Sequence, residues 1–391
     1  MNDTLLVSQN EKKKTRNYGI DLLRIVSMLM IVILHVLGQG GVWRSCENLT
    51  VKGEAFWALE ILCYSAVNIY AIISGYVGYK SSHKGRSIIS LCLQVTFYSV
   101  LITAGNTAIL IIQKKPLNFV STIKNLFPSA FGGLWYFSAY FCLFFFMPIL
   151  DAIVDYVSKR KLKNAALLCI LVFCCYTRIY CTVSDTRDGY SVMWLTILYI
   201  LGAYISKYDP LKKWSAGLCF IGFFVCVIIT SASRIVFGYA TKHLFGQVSH
   251  QGLLVSYISP TIVLAAFFIV CAFIKLKLNQ TATKVISFLA PMSFGVFLIH
   301  CHPLLYSYMY NKFAWISEKP ILLGLLLAVA FSLAIFASCM FIDWLRILLF
   351  KVCKINALSV WIEKICGSVV DFFLKILHSN DEQQCSNEDK G

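Results

Sequence analysis

Charge is what this chain has least of. Only 14% of its 391 residues are Asp, Glu, Lys or Arg, where a soluble globular domain carries about 25%. With 58% hydrophobic residues and a mean hydropathy of +0.72, the shortage excludes an ordinary soluble fold. No CxxC pair occurs among the 16 cysteines, which removes the usual zinc or redox framework. Cys169, Cys174, Cys175, Cys219 and Cys226 instead lie inside apolar runs, where a thiol behaves as a small hydrophobe. The alternating ten-residue pattern of a membrane β-barrel is missing as well. The first apolar run, Ile20 to Leu37, has no small-residue cleavage site before the polar stretch Trp43–Lys52, which argues against a secretory signal. No internal repeat and no separate soluble domain is apparent.

What is there is a series of apolar runs, at about 20–38, 55–78, 88–112, 133–153, 164–181, 190–206, 214–233, 253–274, 285–307 and 321–345. A bilayer core about 30 Å thick needs about 20 such residues per helix, and a helix satisfies its own backbone hydrogen bonds in lipid. The expected fold class is therefore all-α: a polytopic membrane protein of ten transmembrane helices. The formal charge of +16 suits nucleic acid in a soluble domain. Here the basic residues gather in loops, so no nucleic-acid partner is expected. With the N-terminus inside, inside segments hold 23 Lys and Arg and outside segments 11. That bias predicts cytoplasmic N- and C-termini. Residues 1–18 are expected to be a basic cytoplasmic N-terminal segment and 19–345 the ten-helix membrane domain. The stretch 346–378, with Glu363, Lys364, Asp371 and Lys375 among apolar residues, predicts an amphipathic helix on the inner face. Residues 379–391 read as a disordered tail.

Ionisable residues inside spans are costly and mark candidate sites. The first run carries Asp21, Arg24 and His35. Arg24 and His35 are 11 positions apart, about three turns plus 20°, so they share a face about 16 Å apart. Arg24 falls near the cytoplasmic edge, and Asp21 is placed to pair with it. Read blandly, Arg24 snorkels and His35 is a packing residue. The second run adds Glu60 and Asn68. Glu60 lies at a depth like that of His35 and could orient its imidazole. Past Ile73-Ser74-Gly75-Tyr76, the loop bearing Lys80, His83, Lys84 and Arg86 is a cationic cluster suited to phosphate. Trp135 and Tyr136 open the fourth run. The ninth run ends in His300-Cys301-His302. Alternate residues on a helix point apart, so no metal is expected there.

These residues also carry a resemblance. Gly19-Ile20-Asp21-Leu22-Leu23-Arg24 followed by His35 resembles the first-helix signature of the acyltransferase-3 family of integral membrane O-acyltransferases. Ile73-Ser74-Gly75-Tyr76 is similar to its Ser-Gly-aromatic element, and Leu134-Trp135-Tyr136-Phe137 to its Leu-Trp-Phe-Leu element. Ser293 to His300 is similar to its Ser-xxx-Tyr-Leu-x-His element, with Phe297 at the tyrosine position. The four occur in family order. The resemblance implies transfer of an acyl group, usually acetyl from acetyl-CoA, to a hydroxyl of a cell-surface or lipid-linked glycan such as capsule or exopolysaccharide. It implies a multi-pass protein of the bacterial plasma membrane. His35, Arg24 and Glu60 become the expected catalytic residues, with His35 as general base or transient acyl carrier. Arg24, Lys84, Arg86 and Ser74 become the expected cofactor contacts. Trp135, Tyr136, Ser293 and His300 become the expected acceptor contacts. The competing class is a transporter or glycan polymerase, against which speaks the lack of paired Gly/Pro-interrupted helices.

Overall fold

The structure is a computed structural model that describes residues 16–176 and 187–368. It contains fourteen α-helices with named bounds, and there is no strand among the described residues. They are α1 (Tyr18–Leu37), α2 (Val51–Tyr64), α3 (Ala66–Gly78), α4 (Gly85–Ile112), α5 (Phe119–Leu126), α6 (Trp135–Tyr156) and α7 (Lys159–Leu171). There follow α8 (Val192–Tyr208), α9 (Ala216–Phe245), α10 (Pro260–Ile274), α11 (Gln280–Leu289), α12 (Ser293–His300), α13 (Pro303–Tyr308) and α14 (Ile321–Val352). Among the described residues, seven runs are long and apolar enough to cross a membrane: α1, α2 with α3, α4, α6, α9, α11 with α12, and α14. Two shorter apolar helices, α8 and α10, coincide with the sixth and eighth apolar runs. The fifth run is helical through Leu171 and extends beyond the described residues. The chain is an all-α polytopic membrane protein. At the end of the chain, α14 continues to Val352, and residues 355–368 are helical again. The remainder of the expected amphipathic segment and tail lies outside the described residues.

Polar caps set where the helices begin. Asn17 accepts the Ile20 N–H at the start of α1 and donates its amide to the Ile274 carbonyl at the end of α10. Thr50, Ser191, Ser215 and Asn279 cap α2, α8, α9 and α11 in the same way, satisfying N–H groups that have no intrahelical partner. Helix α1 is the centre of the assembly and touches α2, α3, α10, α11, α12 and α14. Its Ile20, Leu23, Val32, Val36 and Leu37 are fully enclosed. By contrast, α4, α9 and α14 expose Ile109, Phe224, Ile228, Leu322 and Leu326, as a lipid-facing belt must.

Helices α3 and α8 approach most closely. A Cβ on Gly75 would stand 1.9 Å from the Tyr199 carbonyl oxygen, and one on Gly202 would stand 2.0 Å from that of Ile72. The contact exists because both positions lack a side chain. Asn68 of α3 bridges the same pair of helices, accepting from the Trp194 indole at 3.1 Å and donating to the Tyr257 carbonyl at 2.7 Å.

Contacts between loops sort into two ends. At the first end Lys207 meets Asp155 at 3.5 Å, Lys275 meets Asp209 at 3.6 Å, and His83 meets Asp151 at 2.9 Å. The start of α1 lies there too, through Asn17. At the second end Lys52 reaches the Ser317 carbonyl and Asn311 donates to that of Gln39. Arg234 of α9 pairs there with Glu54 at 3.1 Å over the Trp57 ring. One charge cluster sits within the first-end half of α14. Arg346 forks onto Asp343 at 2.7 and 2.9 Å, and the Tyr98 hydroxyl donates to the same carboxylate at 2.7 Å.

Candidate active site

The two polar residues of α1 open onto two different voids. Toward the second end, Met28, Ile31, Leu34 and His35 line a cavity of about 390 Å³. Its other walls come from helix ends that converge on this half of α1: Tyr70 of α3, Gly133, Trp135 and Tyr136 at the head of α6, and Tyr190 and Tyr257 from the connections before α8 and α10. Phe297 and Cys301, at the end of α12, and Tyr306 of α13 complete it. The walls are mostly aromatic. Trp135 and Tyr190 have ring centres 4.5 Å apart, and Tyr70 and Tyr136 6.3 Å apart. An apolar hollow with a few converging polar groups is the usual form of a ligand site.

Among the described residues, His35 is the only imidazole on that wall, but a second one backs it. The His300 ring lies 5.1 Å from it, and Tyr306 packs edge-on at 4.9 Å. Cys301 Sγ lies 3.8 Å from His35 Nδ1 and 3.3 Å from His300 Nε2. His300 Nδ1 bonds to the Val296 carbonyl one turn back. A carbonyl only accepts, so Nδ1 carries the proton and Nε2 keeps its lone pair.

Toward the first end, α1 borders a cleft of about 650 Å³ lined by Arg16, Asp21, Arg24, Tyr76 and Thr283 among others. Asp21 accepts from Arg16 Nε at 2.6 Å and from Arg24 Nη1 at 3.1 Å. Two guanidinium groups on one carboxylate leave a net positive site with donors to spare. The void around Arg24 and the void around His35 have no lining residue in common, but one hydrogen bond ties the wall of the second to the α1 backbone beside the first. Tyr70, on the cavity wall, donates its hydroxyl to the Arg24 carbonyl at 2.6 Å.

The other expected site residues are distributed unevenly. Trp135 and Tyr136 stand on the cavity wall. Glu60 is buried and packs against the end of α1, where a Cβ on Gly38 would lie 3.7 Å from its Oε1. Among the described residues, no hydrogen bond joins it to His35, and its Oε2 has no partner. Ser74 bonds to the Tyr70 carbonyl within α3, and Ser293 to the Ala290 carbonyl at the head of α12. Lys84 and Arg86 are exposed at the first end, where the Arg86 N–H donates to Glu363; neither lines the Arg24 cleft. His302 turns away from His300: its ring bonds to the Asn125 carbonyl and caps α13. Tyr70, Tyr306, Cys301 and Arg16 were not expected as site residues. The signal for Tyr70 is its place one turn before Ser74, inside a span where a hydroxyl needs a partner.

A family model described as an acyltransferase domain, that of the acyltransferase-3 family, matches residues 17–344. No curated protein and no solved structure matches the chain. The matched segment begins at the cap of α1 and ends within α14, so it takes in the lining of both voids except Arg16. The chain belongs to the acyltransferase-3 family and is a membrane-embedded acyltransferase.

Proposed function

We propose that this protein moves an acetyl group from cytoplasmic acetyl-CoA to a hydroxyl of a cell-surface or lipid-linked glycan. The observation that carries the reading is the pair of voids on α1, one basic and one aromatic, with Tyr70 of the aromatic wall bonded to the Arg24 carbonyl between them. The charge bias assigns the first end to the cytoplasm. Arg16 and Arg24 then hold the anionic phosphates of the donor by charge-assisted bonds. Lys84 and Arg86, exposed at the same end, draw the donor toward them. Arg24 and His35 are about 16 Å apart along the helix, a distance the extended arm of the donor covers past Tyr70. The thioester then lies beside His35.

The acceptor enters from the second end. Trp135, Tyr136, Tyr190 and Tyr257 offer flat faces on which a sugar ring packs. His35 takes the proton of the acceptor hydroxyl as the oxygen attacks the thioester carbonyl. The carbon–sulfur bond breaks, and the CoA thiolate leaves with the proton that His35 returns. In the variant form of this route, His35 attacks the carbonyl itself and carries the acyl group for one step. Thioester to ester transfer runs downhill, so neither form needs ATP. Glu60 acts through position, fixing the end of α1 near Trp43 and Gly38.

The test uses purified protein in liposomes with labelled acetyl-CoA and a surface-glycan extract. General base catalysis is worth about 10²–10⁴-fold, so His35→Ala should lose that much turnover while folding normally. Wild-type turnover in that variant would remove His35 from the chemistry. Membrane-dependent consumption of acetyl-CoA separates this reading from a transporter, which would consume none.

A further inference from the structure

The wall behind the reaction cavity contains a second kind of site. His35, His300 and Cys301 each present one ligand atom, and the three atoms all lie within 4.8 Å of one another. We infer that these three residues form a binding site for a zinc-class cation, with two imidazoles and one thiolate as ligands.

The geometry supports that donor set. Zinc sits about 2.3 Å from sulfur and about 2.0–2.1 Å from nitrogen, which places tetrahedral S and N ligands about 3.6 Å apart. The sulfur–nitrogen distances here are 3.8 Å to His35 Nδ1 and 3.3 Å to His300 Nε2, on either side of that value. The second imidazole is already set up as a ligand. His300 Nδ1 donates to the Val296 carbonyl, so its lone pair is on Nε2, the atom facing Cys301. A ligating histidine almost always holds its other nitrogen in such a bond. Hard cations such as Mg²⁺ prefer oxygen, while a mixed imidazole–thiolate set suits zinc.

Access and an open position come from the same arrangement. His35 and Cys301 both line the cavity of about 390 Å³, so an ion reaches them from it, and a fourth ligand, water, completes the sphere on the cavity side. The three ligands come from two helices: α1, and α12 with its cap residue. Within a His-Cys-His run alternate residues do diverge, as the His302 ring shows by turning to Asn125. The third ligand is supplied by packing instead. Binding releases the Cys301 thiol proton to solvent, since the thiolate is the ligand. It also occupies a His35 nitrogen and so, on the reading of His35 as base, silences the acyl transfer.

The test reads the metal directly and does not depend on turnover. The full chain, purified in detergent and stripped with chelator, is titrated with Co²⁺ as a spectroscopic probe. One equivalent should bind with a near-ultraviolet thiolate-to-cobalt band, and Cys301→Ser should abolish that band. Absence of the band in the unaltered chain, or its persistence in Cys301→Ser, overturns the site. A second measurement needs no substitution: Zn²⁺, but not Mg²⁺, should protect Cys301 from a small methylthiolating reagent, mapped by mass spectrometry, while exposed Cys353, past the end of α14, still reacts. Equal modification of Cys301 with and without Zn²⁺ also overturns it.

Discussion

Adding one methyl group at Gly75 tests the packing that holds the site together. Its new carbon would lie 1.9 Å from the Tyr199 carbonyl oxygen, where ordinary contact starts at 3.4 Å. The obstacle is backbone, so no side chain can swing clear, and α3 must move about 1.5 Å from α8 or tilt. A gap of 0.5–1 Å already loses a quarter to a half of the dispersion attraction of the facing atoms. Overpacking of this kind costs about 1–3 kcal/mol, and the rigid partner places Gly75→Ala at the upper end. Three kcal/mol is about a 100-fold change in the folding equilibrium. The shift also pulls on Asn68 and Tyr70, which α3 holds against Trp194 and Arg24. Turnover should fall with stability. The assay is thermal unfolding in detergent together with acyl transfer in liposomes. Gly105→Ala is the matched control: it lies about two turns before the end of α4, with nothing within 4 Å of its Cβ. Losing a helix-interior glycine there should be neutral or stabilising by up to about 1 kcal/mol. If Gly75→Ala unfolds at the same temperature as Gly105→Ala and keeps full turnover, the close α3–α8 contact is wrong.

Three further outcomes follow from other parts of the molecule. Asp343→Ala leaves Arg346 buried without its partner and should destabilise by about 3–5 kcal/mol, read as loss of monodisperse protein on extraction; a normally behaved variant would refute the pairing. Tyr70→Phe removes one hydrogen bond, about 0.5–1.5 kcal/mol, and should lower kcat with little change in KM for the donor, whereas Arg24→Gln should chiefly raise that KM. If both variants change the same constant, the two voids do not divide the work as proposed. Micromolar Zn²⁺ should inhibit turnover reversibly, with activity restored by chelator and Mg²⁺ without effect. An uninhibited enzyme that still binds the metal would mean that His35 is not the base.

The parts of this architecture that could be read in advance are those governed by one helix at a time. Apolar length gave the helical class, because each run must close its own hydrogen bonds in lipid. The 3.6-residue period puts Arg24 and His35 on one side of α1; each lines a void, and the two voids are different ones. What depends on two helices was not legible. Glu60 and His35 share a depth, yet depth does not fix azimuth, and no bond between them forms among the described residues. His300 reaches His35 only because α12 packs on α1. The break of the second run at Ser65 and that of the ninth around Pro291, where a short 3-10 turn separates α11 from α12, leave hydropathy unchanged, so a composition window passes over them. Asp343, a carboxylate three residues before Arg346 at the edge of the last run, was passed over in the sequence. So was its partner Tyr98, since nothing in α4 marks that tyrosine among its apolar neighbours.

The fork between Arg346 and Asp343 has a bearing on how the protein is made. A lone aspartate at the centre of a nascent segment resists insertion by about 2.5–3.5 kcal/mol, and one nearer the end, as Asp343 is in α14, by less. Here the counter-ion rides on the same helix one turn away, so the last long segment can leave the insertion machinery as a neutral unit before any neighbour has docked. Tyr98 then finds a carboxylate already oriented for it.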